Sequence, residues 1–201
     1  KIIPGISLEQ GCVIENINER DNQWINVLGA NVYNEEKINF SLSVESSLPI
    51  DAYCLSNFIT SILNDKRGWT TIVGKEFQVV NYYDADFHIF LANPDTVDEM
   101  CFPLQTNGIY SCRNGNQIIY NYFRWLAGAK DFGLDIATYR LYLINHEVGH
   151  MFGWGHTDCP SQNALAPLMM QQSKTTGGCI PNGWPIYERI TYLYESVDNF
   201  K

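Results

Sequence analysis

Three histidines and one glutamate are the residues whose types and spacing point to chemistry. They follow the pattern His-Glu-x-x-His-x-x-Gly-x-x-His, from His146 to His156. On a helix, His146 and His150 are one turn apart and project from the same face, so both can ligate one metal ion. Gly153 permits a positive-φ turn that returns His156 as the third ligand. Three nitrogen ligands with an open fourth position are typical of a catalytic zinc rather than a structural one.

Glu147 adjoins the histidine pair and is the candidate general base. Zinc lowers the pKa of a bound water toward about 7, and a nearby carboxylate takes its proton and delivers it to the leaving amine. A pattern of this length arises by chance in roughly one chain in a hundred thousand. Three of the four histidines of the chain lie in it. The pattern therefore predicts zinc-dependent hydrolysis of a peptide bond, with one catalytic ion.

The composition is that of one folded, acidic domain. The 201 residues suffice for one sizeable core, and 45% apolar with 17% charged residues excludes a disordered chain. The formal net charge of -9 argues against nucleic acid and anionic membranes as partners. No apolar run reaches the roughly 20 residues that span a bilayer. We expect a monomer that acts on a polypeptide.

Six cysteines without a Cys-x-x-Cys pair predict three disulfides and an oxidising compartment. Proximity in sequence suggests the pairs Cys101–Cys112 and Cys159–Cys179 and, by remainder, Cys12–Cys54. Buried free thiols in a cytosolic protein are the alternative. Because the chain begins at Lys1 rather than Met, we expect a secreted or extracellular protein whose signal peptide has been removed.

The histidine pattern needs a helix, and the periodicity predicts one there. Asp135 is placed to cap it, and apolar residues recur at helical spacing until Gly153. A second helix is predicted from Asp51 to about Asp65. The other predicted elements are strands over 37–45, 77–81, 87–92 and 117–122, a hairpin turn at Asn114-Gly115 and a closing helix over 186–197.

These elements predict one α+β domain. The strand over 37–45 alternates strictly between apolar and polar residues, which predicts a half-buried strand. Residues 1–36 carry little periodicity and are expected to be an N-terminal extension pinned by Cys12. The catalytic domain then covers 37–201, with an upper part of about 37–153 and an irregular lower part of about 154–201.

The histidine pattern and a later methionine resemble the metzincin clan of zinc metallopeptidases, in which the long motif precedes a Met-containing turn. Ala166-Pro-Leu-Met169 and the residues after it fit that turn, with Met170 as the competitor of Met169. The resemblance implies a zincin fold, with a small mixed sheet, a backing helix, an active-site helix and an irregular C-terminal subdomain. It also implies that the methionine lies beneath the metal as an apolar floor.

From about Phe40 to Pro185 the chain also resembles an uncharacterised family of exported, mainly actinobacterial proteins with a metzincin-like domain. This resemblance implies peptidase activity but indicates no particular substrate. The N-terminal extension through Asn34 falls outside the resemblance. The matching segments are Asp65-Lys-Arg-Gly-Trp69, Cys101-Phe-Pro-Leu104, Ser111-Cys-Arg-Asn-Gly115, Trp125-Leu-Ala-Gly128, Tyr139 to His150, Ala166-Pro-Leu-Met169 and Gly178 to Pro185.

A substrate chain in such folds lies antiparallel to an exposed edge strand, through main-chain hydrogen bonds. The strand over 117–122 is the candidate edge, and an ordinary internal strand is the alternative. The segment 157–168 would then wall the pocket on the primed side of the scissile bond, braced by the Cys159–Cys179 disulfide.

Three side chains are candidates for supporting the metal centre. Asp158 is either an acceptor that orients His156 or a solvated carboxylate. Tyr187 or Tyr192 would act as an extra ligand or transition-state donor, as a tyrosine does in some metzincins.

Three polar residues in and just before the third predicted strand are expected to be structural. His88 has apolar neighbours in the sequence, which favours a hydrogen-bonded core histidine over a metal ligand. Asp84 and Asp86 are expected to belong to a polar turn, because no loop motif supports a calcium site.

Two other functions fit the same residues. One is a secreted binding module in which zinc is structural or latent, with Cys12 or an acidic N-terminal side chain in the fourth zinc position. A simple disulfide is the alternative for Cys12. The other is a zinc amidase that hydrolyses a non-protein amide, such as a cell-wall crosslink, by the same chemistry.

Overall fold

A mixed β-sheet forms the centre of the computed structural model, which describes residues 10–14, 23–29 and 31–189. The described strands are β1 (Trp24–Asn26), β2 (Ile38–Glu45), β3 (Phe77–Val79), β4 (Phe87–Ala92), β5 (Cys112–Asn114) and β6 (Gln117–Asn121). The described α-helices are α1 (Ala52–Leu63), α2 (Trp69–Val73), α3 (Pro94–Cys101), α4 (Tyr122–Ala127) and α5 (Ile136–Met151).

The sheet has a parallel centre and antiparallel edges. Its order is β1-β2-β4-β6-β5, and β3 pairs with the start of β2. β2, β4 and β6 run parallel, with Phe40 opposite Phe87 and Ile89 opposite Ile118. β1 and β5 run antiparallel to β2 and β6. The mixed sheet predicted from the sequence is therefore confirmed.

Both faces of β2 are buried, so the prediction of a half-buried strand was wrong. Phe40 and Leu42 enter the main core together with residues of α1 and α5. On the opposite face Ser41 and Asn39 are also buried, and Ser41 Oγ lies 2.8 Å from His88 Nδ1. Alternation reports polarity rather than exposure, and polar groups tolerate burial when they are hydrogen-bonded.

Helix α1 forms as predicted and backs the sheet. The Asp51 carboxylate accepts hydrogen bonds from the backbone N–H groups of Tyr53 and Cys54, which satisfies donors that the first helical turn leaves unpaired. Its apolar side, with Leu55, Ile59 and others, packs into the same core as β2.

Helix α5 carries the histidine pair and is held along its length by hydrogen bonds. Asp135 caps it by accepting from Thr138 N, as predicted. In its middle, the carbonyl of Ile144 accepts from Tyr120 Oη at 3.0 Å, and that of Asn145 accepts from Trp69 Nε1 at 2.9 Å. These two donors belong to β6 and α2, so α5 is fixed against both the sheet and helix α2.

All six cysteines form the three predicted disulfides, Cys12–Cys54, Cys101–Cys112 and Cys159–Cys179. The first ties the N-terminal segment to α1, and the second ties the end of α3 to β5. The third lies within the lower part of the chain. Three disulfides indicate folding in an oxidising environment, as the cysteine count predicted.

The remaining elements agree with the predictions only in part. The predicted hairpin turn at Asn114-Gly115 is found, with Asn114 paired to Gln117. β1 belongs to the segment expected to be an extension, yet it joins the sheet. Most of the closing helix predicted over 186–197 lies outside the described residues. Among the described helices, none has the length and apolar character to cross a membrane.

Candidate metal centre

The three histidines of the motif meet at one point. One ring nitrogen from each of His146, His150 and His156 lies within 4.8 Å of those of the other two. His146 is buried, His150 is half-buried and His156 is exposed. Helix α5 supplies the first two, and Gly153, with a φ of 84°, turns the chain after the helix so that His156 returns. The predicted triad is therefore assembled, and it can hold a metal ion.

Backbone carbonyls fix the orientation of the two helical imidazoles. His146 Nδ1 donates to the carbonyl of Leu168 at 2.8 Å, and His150 Nδ1 donates to that of Trp154, also at 2.8 Å. In neutral rings this leaves the Nε2 lone pairs free for a metal. His150 Nε2 and His156 Nε2 are 3.1 Å apart. Two nitrogens bound tetrahedrally to one zinc would be about 3.3 Å apart, so the donor set fits that ion.

Burial disfavours the protonated form of the three imidazoles. It lowers the pKa of His146 to about 3, against a smaller opposing effect of the hydrogen bond to Leu168. Burial also lowers the pKa of His150 and of His156. A metal competes with protons for the ring nitrogens, so neutral imidazoles favour metal binding.

Glu147 lies buried beside the triad and lines the same cavity. Burial raises the pKa of its carboxyl group to about 8. A carboxyl group in a water-poor site binds a proton more readily than one in bulk water. Glu147 is thus a buried carboxyl group beside the triad with a raised proton affinity.

Met169 packs against the helix that carries the histidine pair. It is fully buried, and a Cβ added to Gly149 of α5 would collide with its Sδ. Its neighbour Met170 packs instead with Ala166 and Cys179 in a separate cluster. Of the two candidate methionines, Met169 is therefore the one that contacts α5, and its role as the floor of the site stays a prediction.

A buried glutamate supports the turn that contains Leu168 and Met169. Glu188 accepts a hydrogen bond from the backbone N–H of Met169 at 2.8 Å. Burial raises the pKa of Glu188. The Tyr142 hydroxyl donates to the carbonyl of Met170 at 3.2 Å, which adds a contact from α5. The turn is held from both sides, and the Leu168 carbonyl is held in place for His146.

The triad opens into a cleft of about 520 Å³. β5 and the segment before it form one side, and the residues after Met170 form another. The lining residues include Leu104, Tyr110, Arg113, Tyr142, Gln171 and Lys174. Cys112 and Arg113 of β5 belong to this lining, so a strand of the sheet borders the cleft.

The edge strand beside this cleft is β5, so the prediction that 117–122 forms the edge was wrong. β6 lies between β4 and β5 and pairs with both. The three-residue β5 covers the start of β6, and its other side is free of described strands. The predicted pocket wall is also different, because Gln171, Ser173 and Lys174 line the cleft and no residue of 157–168 does.

None of the three residues predicted to support the metal centre is seen in contact with the triad in the described part of the chain. Asp158 is exposed, and no hydrogen bond joins it to His156 in the described part of the chain. Tyr187 follows the Met169 turn in the lower part and is not among the residues that line the cleft. Tyr192 lies outside the described residues. Their proposed roles therefore stay predictions.

His88 and Asp86 are structural, as expected. His88 stacks on Tyr82 with ring centroids 4.2 Å apart and shares a hydrogen bond with Ser41. Asp86 accepts hydrogen bonds from the backbone and side-chain nitrogens of Asn39 at 2.8 and 3.0 Å. Cys12 is disulfide-bonded to Cys54, so the hypothesis that its thiolate fills the fourth metal position was wrong.

Sequence reasoning missed two cations that line the cleft, Arg113 and Lys174. Arg113 immediately precedes the predicted hairpin turn, so its place on the outer hairpin strand was available as a signal. Lys174 lies four residues beyond Met170 in an irregular segment, where no pattern in the sequence indicates which way a side chain points.

Fold and site together define a mixed α/β protein with a cleft in which three histidines could hold a metal ion. The chain belongs to the family described as "Protein of unknown function (DUF3152)", whose model matches residues 9–179. The match contains the whole triad, Met169 and Cys12, so it extends further toward the N-terminus than the resemblance from Phe40 onward. The curated proteins and the solved structures gave no match.

Proposed function

We propose that this chain is a secreted, metzincin-like zinc endopeptidase. The observation that carries the proposal is the convergence of three imidazoles beside a buried carboxyl group, in a cleft that is lined in part by the edge strand β5. Three disulfides support a site of action outside the cytosol.

The residues divide the work between binding and proton transfer. His146, His150 and His156 would hold zinc, which when bound lowers the pKa of a water and polarises the scissile carbonyl. Glu147 takes the proton from the attacking water and passes it to the leaving amine. Met169 supplies an apolar floor, and the carbonyls of Leu168 and Trp154 keep the imidazoles aimed at one point.

A polypeptide is the substrate that the cleft favours. One side of β5 pairs with no described strand, so its backbone could pair with an extended chain that would add to the sheet as one more strand. A non-protein amide, the amidase alternative, would make no use of such an edge.

The test is to compare zinc content and cleavage of a broad peptide library between the native chain and Glu147→Gln. We expect the variant to keep stoichiometric zinc, because all three imidazoles remain, and to lose about 10²- to 10⁴-fold in cleavage rate, the usual contribution of a general base. Metal analysis and mass spectrometry of the products provide the two measurements.

Asp84→Asn is the matched control, since Asp84 is exposed in a short 3-10 helix and does not line the cleft. It should cleave like the native chain. A zinc-loaded native chain that cleaves no peptide, or a Glu147→Gln variant as active as the native chain, would refute the proposed function.

A further inference from the structure

Two cations enter the cleft from separate parts of the chain. Arg113 comes from the edge strand β5, and Lys174 comes from the segment that follows the Met169 turn. Both side chains are exposed. Both line the same cleft as His146, His150 and His156.

Neither cation is neutralised by a carboxylate in the described part of the chain. Lys174 Nζ donates to the neutral amide of Gln171 at 3.2 Å and lies 5.6 Å from the centroid of the Tyr110 ring. Among the residues that line the cleft, Glu147 is the one carboxyl group, and it is buried beside the triad. The cleft wall is therefore positive.

This positive wall contrasts with the chain as a whole, whose formal net charge is -9. A polyanion such as nucleic acid would be repelled by that net charge over its whole length. A single carboxylate inside the cleft would meet the two nearby cations instead, since beyond about 10 Å salt screens charges from one another. The cleft should therefore bind a ligand with one compact negative group in preference to a polyanion.

We propose that the cleft recognises a carboxylate of its peptide substrate, held by Arg113 and Lys174 close to the scissile bond. The proposal rests on the proposed function and names its substrate class. The carboxylate has two possible sources, an acidic side chain or the free C-terminus of the peptide. The first would make the enzyme selective for acidic sequences, and the second would direct it to chain ends.

Binding and cleavage are measured separately so that each proposal has its own readout. Zinc-loaded Glu147→Gln is titrated into labelled peptides that are matched except for Glu or Gln at single positions, each with a free or an amidated C-terminus. Fluorescence anisotropy gives the Kd. We expect one carboxylate-bearing member to bind about five- to tenfold tighter than its neutral twin, as two partly exposed ion pairs would provide.

The preference should depend on both cations and on salt. Adding Arg113→Gln or Lys174→Gln should each remove part of it, and the double change should remove all of it. Lys174→Glu should favour a Lys-bearing peptide. Raising the ionic strength toward about 1 M should weaken the preference, because the screening length falls to roughly 3 Å. Lys66→Gln, an exposed cation outside the cleft, is the matched control and should leave it intact.

The outcomes separate the two proposals. Equal affinity for the Glu and Gln twins and for the free and amidated termini overturns carboxylate recognition, and so does a preference that survives the double change. Equal cleavage of all twins by the native chain supports the peptidase and overturns the recognition. A carboxylate preference in binding without cleavage by the native chain supports the recognition and refutes the peptidase.

Discussion

The imidazoles of the triad are oriented by their surroundings before any ligand is considered. His146 and His150 each use Nδ1 to donate to a backbone carbonyl, and one of these carbonyls, that of Leu168, belongs to the turn that ends in Met169. The turn therefore has two roles. Through the Leu168 carbonyl it orients the His146 ring, and it also places the Met169 thioether against the helix that carries the histidine pair. A ligand whose rotamer is already fixed loses little entropy when it binds a metal.

Gly149 is the residue on which this arrangement depends most directly. A Cβ at this position would collide with Met169 Sδ and would lie 2.8 Å from Trp69 Cζ2. Both neighbours are fully buried, and the Trp69 indole is tied to the Asn145 carbonyl, so neither can retreat. We expect Gly149→Ala to lower the free energy of unfolding by about 1–3 kcal/mol through overpacking, despite the better helix propensity of alanine.

Urea denaturation measures this effect, and Gly155→Ala is its control. A Cβ on Gly155 meets open space, so that variant should unfold within about 0.5 kcal/mol of the native chain. If the two variants were equally stable, the close packing of Met169 and Trp69 on α5 would not be a constraint.

At the scale of elements, the sequence predicts best what local pattern determines. The bounds of α1 and α5 follow from Asp51, Asp135 and helical periodicity, and β4 follows from an apolar run. The edge of the sheet could not be predicted in this way. Pairing order is a property of the whole fold, and a three-residue strand such as β5 carries too little pattern to be recognised.

The same limit applies to the short elements. β1, α2 and α3 are 3, 5 and 8 residues long, and packing rather than propensity stabilises elements of this size. The histidine triad was predictable because His146 and His150 are spaced one turn apart on α5 and Gly153 allows the turn that returns His156. Of the two cleft cations, Arg113 had a signal in the predicted hairpin, but Lys174 had none because it reaches the cleft from an irregular segment.

The Cys101–Cys112 disulfide is expected to hold the edge strand in place. It joins the end of α3 to the first residue of β5 across a sequence separation of 11. Replacing both cysteines by alanine should cost about 2–3 kcal/mol of unfolding free energy. It should also increase amide hydrogen exchange in β5 and weaken peptide binding, because the strand would no longer be pinned beside the cleft.

The Cys12–Cys54 pair provides the comparison, with a sequence separation of 42. Its removal should destabilise the chain at least as much, because the loop that it closes is longer. Exchange in β5 should stay at the native level in that variant. An unchanged β5 in the Cys101 and Cys112 variant would show that hydrogen bonds to β6 suffice to hold the edge.

At the scale of the whole molecule, the metal site joins the two parts of the chain. The lower part docks on α5 through backbone carbonyls, with Leu168 accepting from His146, Met170 from Tyr142 and Gly183 from Asn145. His156 adds no such buried bond, because it is exposed and reaches its neighbours by its ring nitrogen alone. A bound ion would turn that loose contact into a third ligand bond between the parts.

Zinc should therefore raise the free energy of unfolding. Most of this stabilisation should require His156, because His156 is the residue through which the ion would join the lower part of the chain to α5. At a free zinc concentration of a thousand times Kd, binding adds about 4 kcal/mol, which for a chain of this size raises Tm by roughly 10 °C. His156→Ala should leave the Tm of the metal-free protein unchanged, since the side chain is exposed, and should abolish most of the rise. Calorimetry with chelator and with added zinc measures both quantities. An equal zinc-induced rise in the native chain and in His156→Ala would mean that His156 is not a ligand and that the metal does not join the two parts.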